Sequence, residues 1–94
     1  MAKVTEEIKE AYNKIADQYS RELWDDMPYN EYLDQFASLI KGNKVLDLGC
    51  TMGSFTKYIS DMGFSVDGID ISENFIAIAK QKVKTCHFYV MDMY

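Results

Sequence analysis

The chain has little of what would commit it to a specialised class. It has two cysteines in 94 residues, Cys50 and Cys86. Their spacing fits neither a zinc site nor a Cys-x-x-Cys redox pair, so they read as reduced thiols of a cytoplasmic protein. Its one proline is Pro28, and no Pro-, Gly- or Ser-rich tract divides it. His87 is the only histidine; no second ligand stands near it in sequence, so it is taken as structural and no metal is expected. No apolar run approaches the roughly 18 residues of a membrane span, and Met-Ala-Lys-Val-Thr-Glu-Glu has no signal-peptide core. Positive charge is also scarce. Ten Lys and Arg face fifteen Asp and Glu, for a formal net charge of −5, with no basic stripe along any element. That speaks against duplex nucleic acid as a partner.

What is present suits a packed globule. Hydrophobic residues make up 48% and aromatics 14%, too rich for disorder. The 94 residues hold one domain, and at this size only about 60% of the unfolded surface is buried, leaving a thin stability margin.

The apolar residues Val4, Ile8, Ala11, Tyr12, Ile15 and Tyr19 recur at helical spacing, predicting a first helix from Thr5 to about Tyr19 with Thr5 as its cap. Ser20 to Met27 either continues that helix or turns, with Trp24 as a packing anchor. Pro28 suits the first turn of a second helix whose apolar face is Tyr29, Tyr32, Leu33, Phe36, Leu39 and Ile40, closed by Lys41-Gly42-Asn43. Nine acids against four bases in the first forty residues read as a solvated outer face.

The rest of the chain is organised around Val45-Leu46-Asp47-Leu48-Gly49-Cys50-Thr51-Met52-Gly53. Lys44 to Leu48 is a short, nearly all-apolar run, the pattern of a buried parallel strand. A glycine-spaced turn follows, where bare backbone can approach a ligand. A helix then starts near Ser54 and runs to Asp61, with Phe55, Tyr58, Ile59 and Met62 inward. Phe64 to Asp70 is a second strand. Its Gly68 would be explained by a helix or a ligand passing close over it. Its terminal carboxylate lies about twenty residues beyond the turn, the spacing that sets an acid beside a ribose in nucleotide-binding α/β folds. Ser72 caps a fourth helix, Glu73 to about Val83, whose last turns carry Lys80, Lys82 and Lys84 to offset the dipole. Cys86 to Val90 is the third strand.

These residues resemble the glycine-rich first motif of the class I S-adenosylmethionine-dependent methyltransferases: apolar strand, Asp, Leu, Gly, Cys, Gly, any residue, Gly. The resemblance runs from about Tyr12 to Tyr94. It implies an α/β, Rossmann-like methyltransferase half-fold: two N-terminal helices, then a parallel β-α-β-α-β unit in strand order 3-2-1. Residues 1–43 are expected to form a helical cap and 44–94 the nucleotide-binding half of a single truncated domain.

The implied cofactor is S-adenosylmethionine or S-adenosylhomocysteine. Gly49, Cys50, Thr51 and Gly53 would meet its methionine moiety, Asp70 its ribose diol, and Asp92 its adenine amino group. Ile71, Met91 and Met93 would sandwich the ring. Asp47 can cap the turn by accepting its backbone N–H groups, and the resemblance places it beside the methionine end; the two roles are compatible. Ala11 to Tyr19 also resembles the Tyr-Asp-x-Ile-Ala-x-x-Tyr helix that precedes many small-molecule methyltransferase domains. Tyr12 and Tyr19 are then either core aromatics or a lid facing the ligand.

The sequence departs from the family at Thr51, where the middle Gly of the motif usually stands. If that position needs a positive φ, a β-branched residue there is strained. A nicotinamide or flavin dehydrogenase is the rival, but it wants Gly at the first, third and sixth turn positions; positions 49, 51 and 54 read Gly, Thr and Ser. Replacing Asp70 with Ala is expected to weaken cofactor binding and leave the fold intact.

The sequence supplies no acceptor pocket or general base, which in the family come largely from later strands and loops. Three functions follow: a truncated or compact methyltransferase acting on a small molecule with a partner's help, a non-catalytic cofactor binder, or an interaction module. The strand 44–48 would have an open edge, so a homodimer pairing that strand across a two-fold axis is expected. The alternative is a monomer whose N-terminal helices fold over the edge.

Overall fold

The structure, a computed structural model, describes residues 3–26 and 30–92. The elements run α1 (Lys3–Leu23), α2 (Asn30–Leu39), β1 (Lys44–Leu48), α3 (Ser54–Asp61), β2 (Ser65–Asp70), α4 (Glu73–Lys82) and β3 (His87–Val90). All three strands are parallel, in the order β1-β2-β3, the order 3-2-1 read from the other end. The two crossovers step in the same direction, so α3 and α4 lie on one face of the sheet.

That face is the covered one. Val45 pairs with Val66, Asp47 with Gly68, and Gly68 with Phe88. Period two then puts Val45, Asp47, Val66, Gly68 and Phe88 under the helices, and Val66 and Phe88 are buried. Gly68 is needed there because a Cβ would stand 2.8 Å from the Phe88 ring and 3.0 Å from Cys50 Cβ. The group passing close over it is the next strand's ring, not a ligand. The opposite face is open at β1, where Leu46 is 58% and Leu48 60% exposed, although Ile69 of β2 on that face is buried. β1 pairs only with β2, so its other edge is open among the described residues.

Helix α1 starts two residues before the expected Thr5, which lies inside it and is buried rather than capping. It continues to Leu23 because Tyr12, Ala16, Tyr19 and Leu23 keep the apolar period, and these pack with Phe75 and Ile78 of α4 and with Met52. Phe75 meets Tyr12 and Tyr19 edge-on, with ring centroids 6.3 and 5.5 Å away; such pairs add about 0.5–1.5 kcal/mol each beyond burial. Trp24 packs against both core clusters, and Lys82 Nζ sits 4.6 Å over its ring. The lysine-rich end of α4 therefore has an aromatic partner as well as the helix dipole.

Helix α2 departs most from expectation. Its apolar face stays largely exposed, Leu39 to 78%. Tyr29 and Pro28 lie outside the described residues. A hydrogen bond from Tyr58 Oη to Asp34 Oδ1, 2.8 Å long, joins α2 to α3. In α3 the buried residues are Ser54, Thr56 and Ile59; Met62 is exposed and Phe55 and Tyr58 are half-buried.

Candidate functional site

The strand β1 ends at Leu48, and the next two amides, Gly49 and Cys50, both donate to Ile69 O at 2.9 and 3.0 Å. This clamps the turn against the end of β2. Gly53 N then donates to Cys50 O at 3.0 Å, closing the turn into α3. The path requires left-handed backbone at three places: Gly49 (φ 74°), Thr51 (φ 50°) and Gly53 (φ 87°). Thr51, which stands where the middle Gly of the motif usually is, therefore does hold a positive φ. Its hydroxyl donates to Cys50 O at 2.8 Å, which partly offsets the strain.

The turn's side chains alternate in direction. Cys50 packs with Ile76, Ala79, Val83 and Phe88, and Met52 packs with Ala16 and Phe75. Thr51, between two buried anchors, is left facing a cavity of about 260 Å³ at the C-terminal ends of the strands. That cavity is lined by Tyr12, Ile15 and Tyr19 of α1, Gly49 and Thr51 of the turn, Asp70 of β2 and Phe75 of α4. A second hollow of about 150 Å³ shares Tyr19 and Thr51 and extends to Leu23, Asp26, Ser54 and Phe55.

Asp70 is the chemically distinctive wall. It is only 1% exposed. Its Oδ2 accepts the Thr51 amide and its Oδ1 the Ser72 amide, each at 3.0 Å. A carboxylate offers about four lone-pair sites; two backbone donors leave acceptor capacity on both oxygens for a diol.

The sequence-predicted residues divide clearly. The structure brings Tyr12, Tyr19, Gly49, Thr51 and Asp70 together around one cavity. Tyr12 and Tyr19 both pack on Phe75 and also line the cavity. Cys50 is placed elsewhere, its side chain in the core, where burial and then Asp47 and Asp70 push its thiol pKa up. Gly53 lies tight against the core: a Cβ there would meet Phe88 Cζ of β3 at 3.0 Å and Ala79 Cβ of α4 at 3.2 Å. Ile71 is buried and off the cavity wall. Met91 and Asp92 are exposed beyond β3 and also off that wall; the Met91 amide donates to Asp70 O at 2.9 Å. Met93 lies outside the described residues.

Asp47 does not cap the turn by accepting its amides; Ile69 O and Asp70 take those. Its Oδ2 instead accepts the Thr56 hydroxyl at 2.7 Å. Burial raises its pKa, the Thr56 bond opposes the rise, and the charge on Asp70 adds to it. It lines a separate apolar groove of about 210 Å³ with Leu33, Phe36, Val45, Leu46, Phe55, Ile59 and Val66. Sequence reasoning missed Thr56 and Asn13. Thr56 had a signal, a small hydroxyl on the inward face of α3. Asn13 had none, because its partners are about sixty residues away.

Three comparisons bear on this geometry. A family model described as a methyltransferase domain matches residues 45–94. The demethylmenaquinone methyltransferase of Tropheryma whipplei (strain Twist) is 30% identical over 87 residues, covering 87% of this chain and 36% of that protein. Among solved structures, a TehB-like SAM-dependent methyltransferase from Corynebacterium glutamicum ATCC 13032 Kitasato superposes with a TM-score of 0.69 at 31% identity, over 87% of this chain and 46% of that one. The magnesium protoporphyrin IX methyltransferase of Synechocystis PCC 6803, with bound SAM, gives a TM-score of 0.76 at 20% identity, over 98% of this chain and 56% of that one; this shows a shared fold. The chain thus spans about a third of that curated relative's length and about half of these structures.

Proposed function

The chain belongs to the class I S-adenosylmethionine-dependent methyltransferase family, and from that membership we propose that it is the cofactor-binding half of a methyltransferase acting on a small molecule. S-adenosylmethionine or S-adenosylhomocysteine occupies the cavity beneath α1. The observation that carries this reading is Asp70: a buried carboxylate at the end of β2, on the cavity wall, with acceptor capacity left after holding two amides. It accepts the ribose hydroxyls, and each such charged hydrogen bond contributes about 1.5–3 kcal/mol. Gly49 and Thr51 present the turn, and Tyr12, Tyr19 and Phe75 enclose the ligand with aromatic surface. The adjoining hollow at Ser54 and Asp26 takes the amino-acid end. The cofactor supplies a sulfonium methyl for in-line displacement; the chain contributes binding, alignment and exclusion of water.

Calorimetry with S-adenosylhomocysteine tests the binding. Saturable heat supports it, and no heat at millimolar ligand removes it. A labelled-methyl assay offering phenolic small molecules and, separately, RNA tests transfer and acceptor class; incorporation into RNA alone would overturn the small-molecule acceptor. The formal charge of −5 supports the small molecule. The free cysteines Cys50 and Cys86 support a cytoplasmic setting. No helix among the described residues is long and apolar enough to cross a membrane.

The proposal includes a homodimer. Residues 1–43 act as a helical cap, and the open edge of β1 pairs antiparallel with β1 of a second copy, covering Leu46 and Leu48. Exposed main-chain donors beside two exposed leucines favour such pairing. Sedimentation equilibrium at micromolar concentration should give a dimer that Leu46→Lys dissociates. A monomer would contradict this and leave the edge to a longer chain's own continuation.

A further inference from the structure

We infer that Asn13 is a positioning residue for the cavity, latching α1 to the N-terminus of α4 and thereby setting both the tyrosine wall and Asp70. This rests on the cofactor reading above. The apolar stripe Tyr12, Ala16, Tyr19 and Leu23 holds α1 down, but apolar burial is non-directional and fixes neither rotation nor register. Direction comes from Asn13. Its Oδ1 accepts a short hydrogen bond from the Ser72 hydroxyl and a second from the Asn74 amide at 3.3 Å. Its main-chain carbonyl accepts Asn74 Nδ2 at 3.1 Å.

Those partners are the cap of α4. Ser72 Oγ also accepts the Phe75 amide at 3.2 Å, so Asn13 and Ser72 between them satisfy two of the free N–H groups at that helix start. The same Ser72 donates its own amide to Asp70 Oδ1 at 3.0 Å, and Asp70 Oδ2 holds Thr51. One line of hydrogen bonds thus runs from α1 through Asn13, Ser72 and Asp70 to the turn. Asn13 lies one residue from Tyr12, and Phe75, just inside the cap, carries the ring on which Tyr12 and Tyr19 rest. The Lys9–Glu73 ion pair beside it, 3.1 Å long between a half-buried lysine and an exposed glutamate, is too weak to replace the latch.

All three bonds use oxygens of Asn13. Asn13→Asp keeps them, and a negative charge suits the N-terminus of α4; Asn13→Leu keeps the size and removes both side-chain bonds. Amide hydrogen exchange on the ligand-free chain should show α1 opening about tenfold more in Asn13→Leu, with β2 and β3 unchanged, and wild-type behaviour in Asn13→Asp. S-adenosylhomocysteine affinity should fall about tenfold in Asn13→Leu and stay within about threefold of wild type in Asn13→Asp. Unchanged exchange in α1, or loosened α1 with unchanged affinity, overturns the inference. Should Asn13→Leu fail to fold, Asn74→Ala removes only the bond to the Asn13 carbonyl and must shift α1 exchange and affinity in the same directions; no shift overturns it. If the wild type binds no S-adenosylhomocysteine, the proposed function falls, and the exchange comparison alone decides whether Asn13 latches α1.

Discussion

The carboxylate of Asp70 accepts the amide of Thr51 at 3.0 Å, across nineteen residues of sequence. The acid that ends β2 therefore fixes the shape of the turn that ends β1. The side chain proposed to hold the ribose diol is thus also a support of the turn's shape.

Asp70→Ala strands two amides, those of Thr51 and Ser72. The expected loss is about 1–3 kcal/mol of folding stability together with weakened S-adenosylhomocysteine binding. Urea titration and calorimetry measure the two separately. Unchanged stability would mean water satisfies both amides.

Thr51→Gly tests the strain at φ 50°. Glycine relieves a left-handed β-branched residue but forfeits the hydroxyl bond to Cys50 O. The net expectation is a gain of about 1 kcal/mol in stability, with tighter cofactor binding. A destabilised variant would show that the hydroxyl bond is worth more than the strain.

Asp47→Asn gives a pH-dependent outcome. The folded state raises the Asp47 pKa, chiefly through burial. Between the unfolded and folded pKa the folded state binds the extra proton, so wild-type stability increases as pH falls through that window. Asn keeps an oxygen for the Thr56 hydroxyl and carries no charge. The variant should melt higher than wild type at neutral pH, and the difference should vanish below about pH 4. Equal melting temperatures at neutral pH would contradict this sign.

Gly68→Ala places a methyl 2.8 Å from the Phe88 ring. The ring is held in the core between strands and α4, so the expected cost is about 1–3 kcal/mol in urea unfolding. A neutral result would mean that Phe88 has room to rotate away.

Much of the architecture was legible because it is written in local pattern. The bounds of β1 and α3 follow from a short run with three apolar residues in five before a glycine-spaced turn, and from helix spacing. Ser72 announces α4 by its place before a helical stripe, and it does cap that helix. The motif position raises the question of a positive φ at Thr51, and the structure answers it at φ 50°. Directions within the turn were less legible: Cys50, Thr51 and Met52 adjoin in sequence yet face the core, the cavity and α1. Asn13 was illegible for a simpler reason, because a polar residue on a helix reads as solvent-facing until its distant partners are placed. The exposed face of α2 reverses a pattern reading altogether: Leu39 lies at helical spacing in an apolar stripe and still faces solvent.

The most direct measurement is an amide-resolved NMR titration of the chain with S-adenosylhomocysteine. The account predicts saturable shift changes concentrated at Tyr12, Tyr19, Gly49, Thr51 and Asp70, and their loss in Asp70→Ala. An absence of saturable shifts, or shifts centred on the separate groove at Leu33, Phe36 and Asp47, would contradict it.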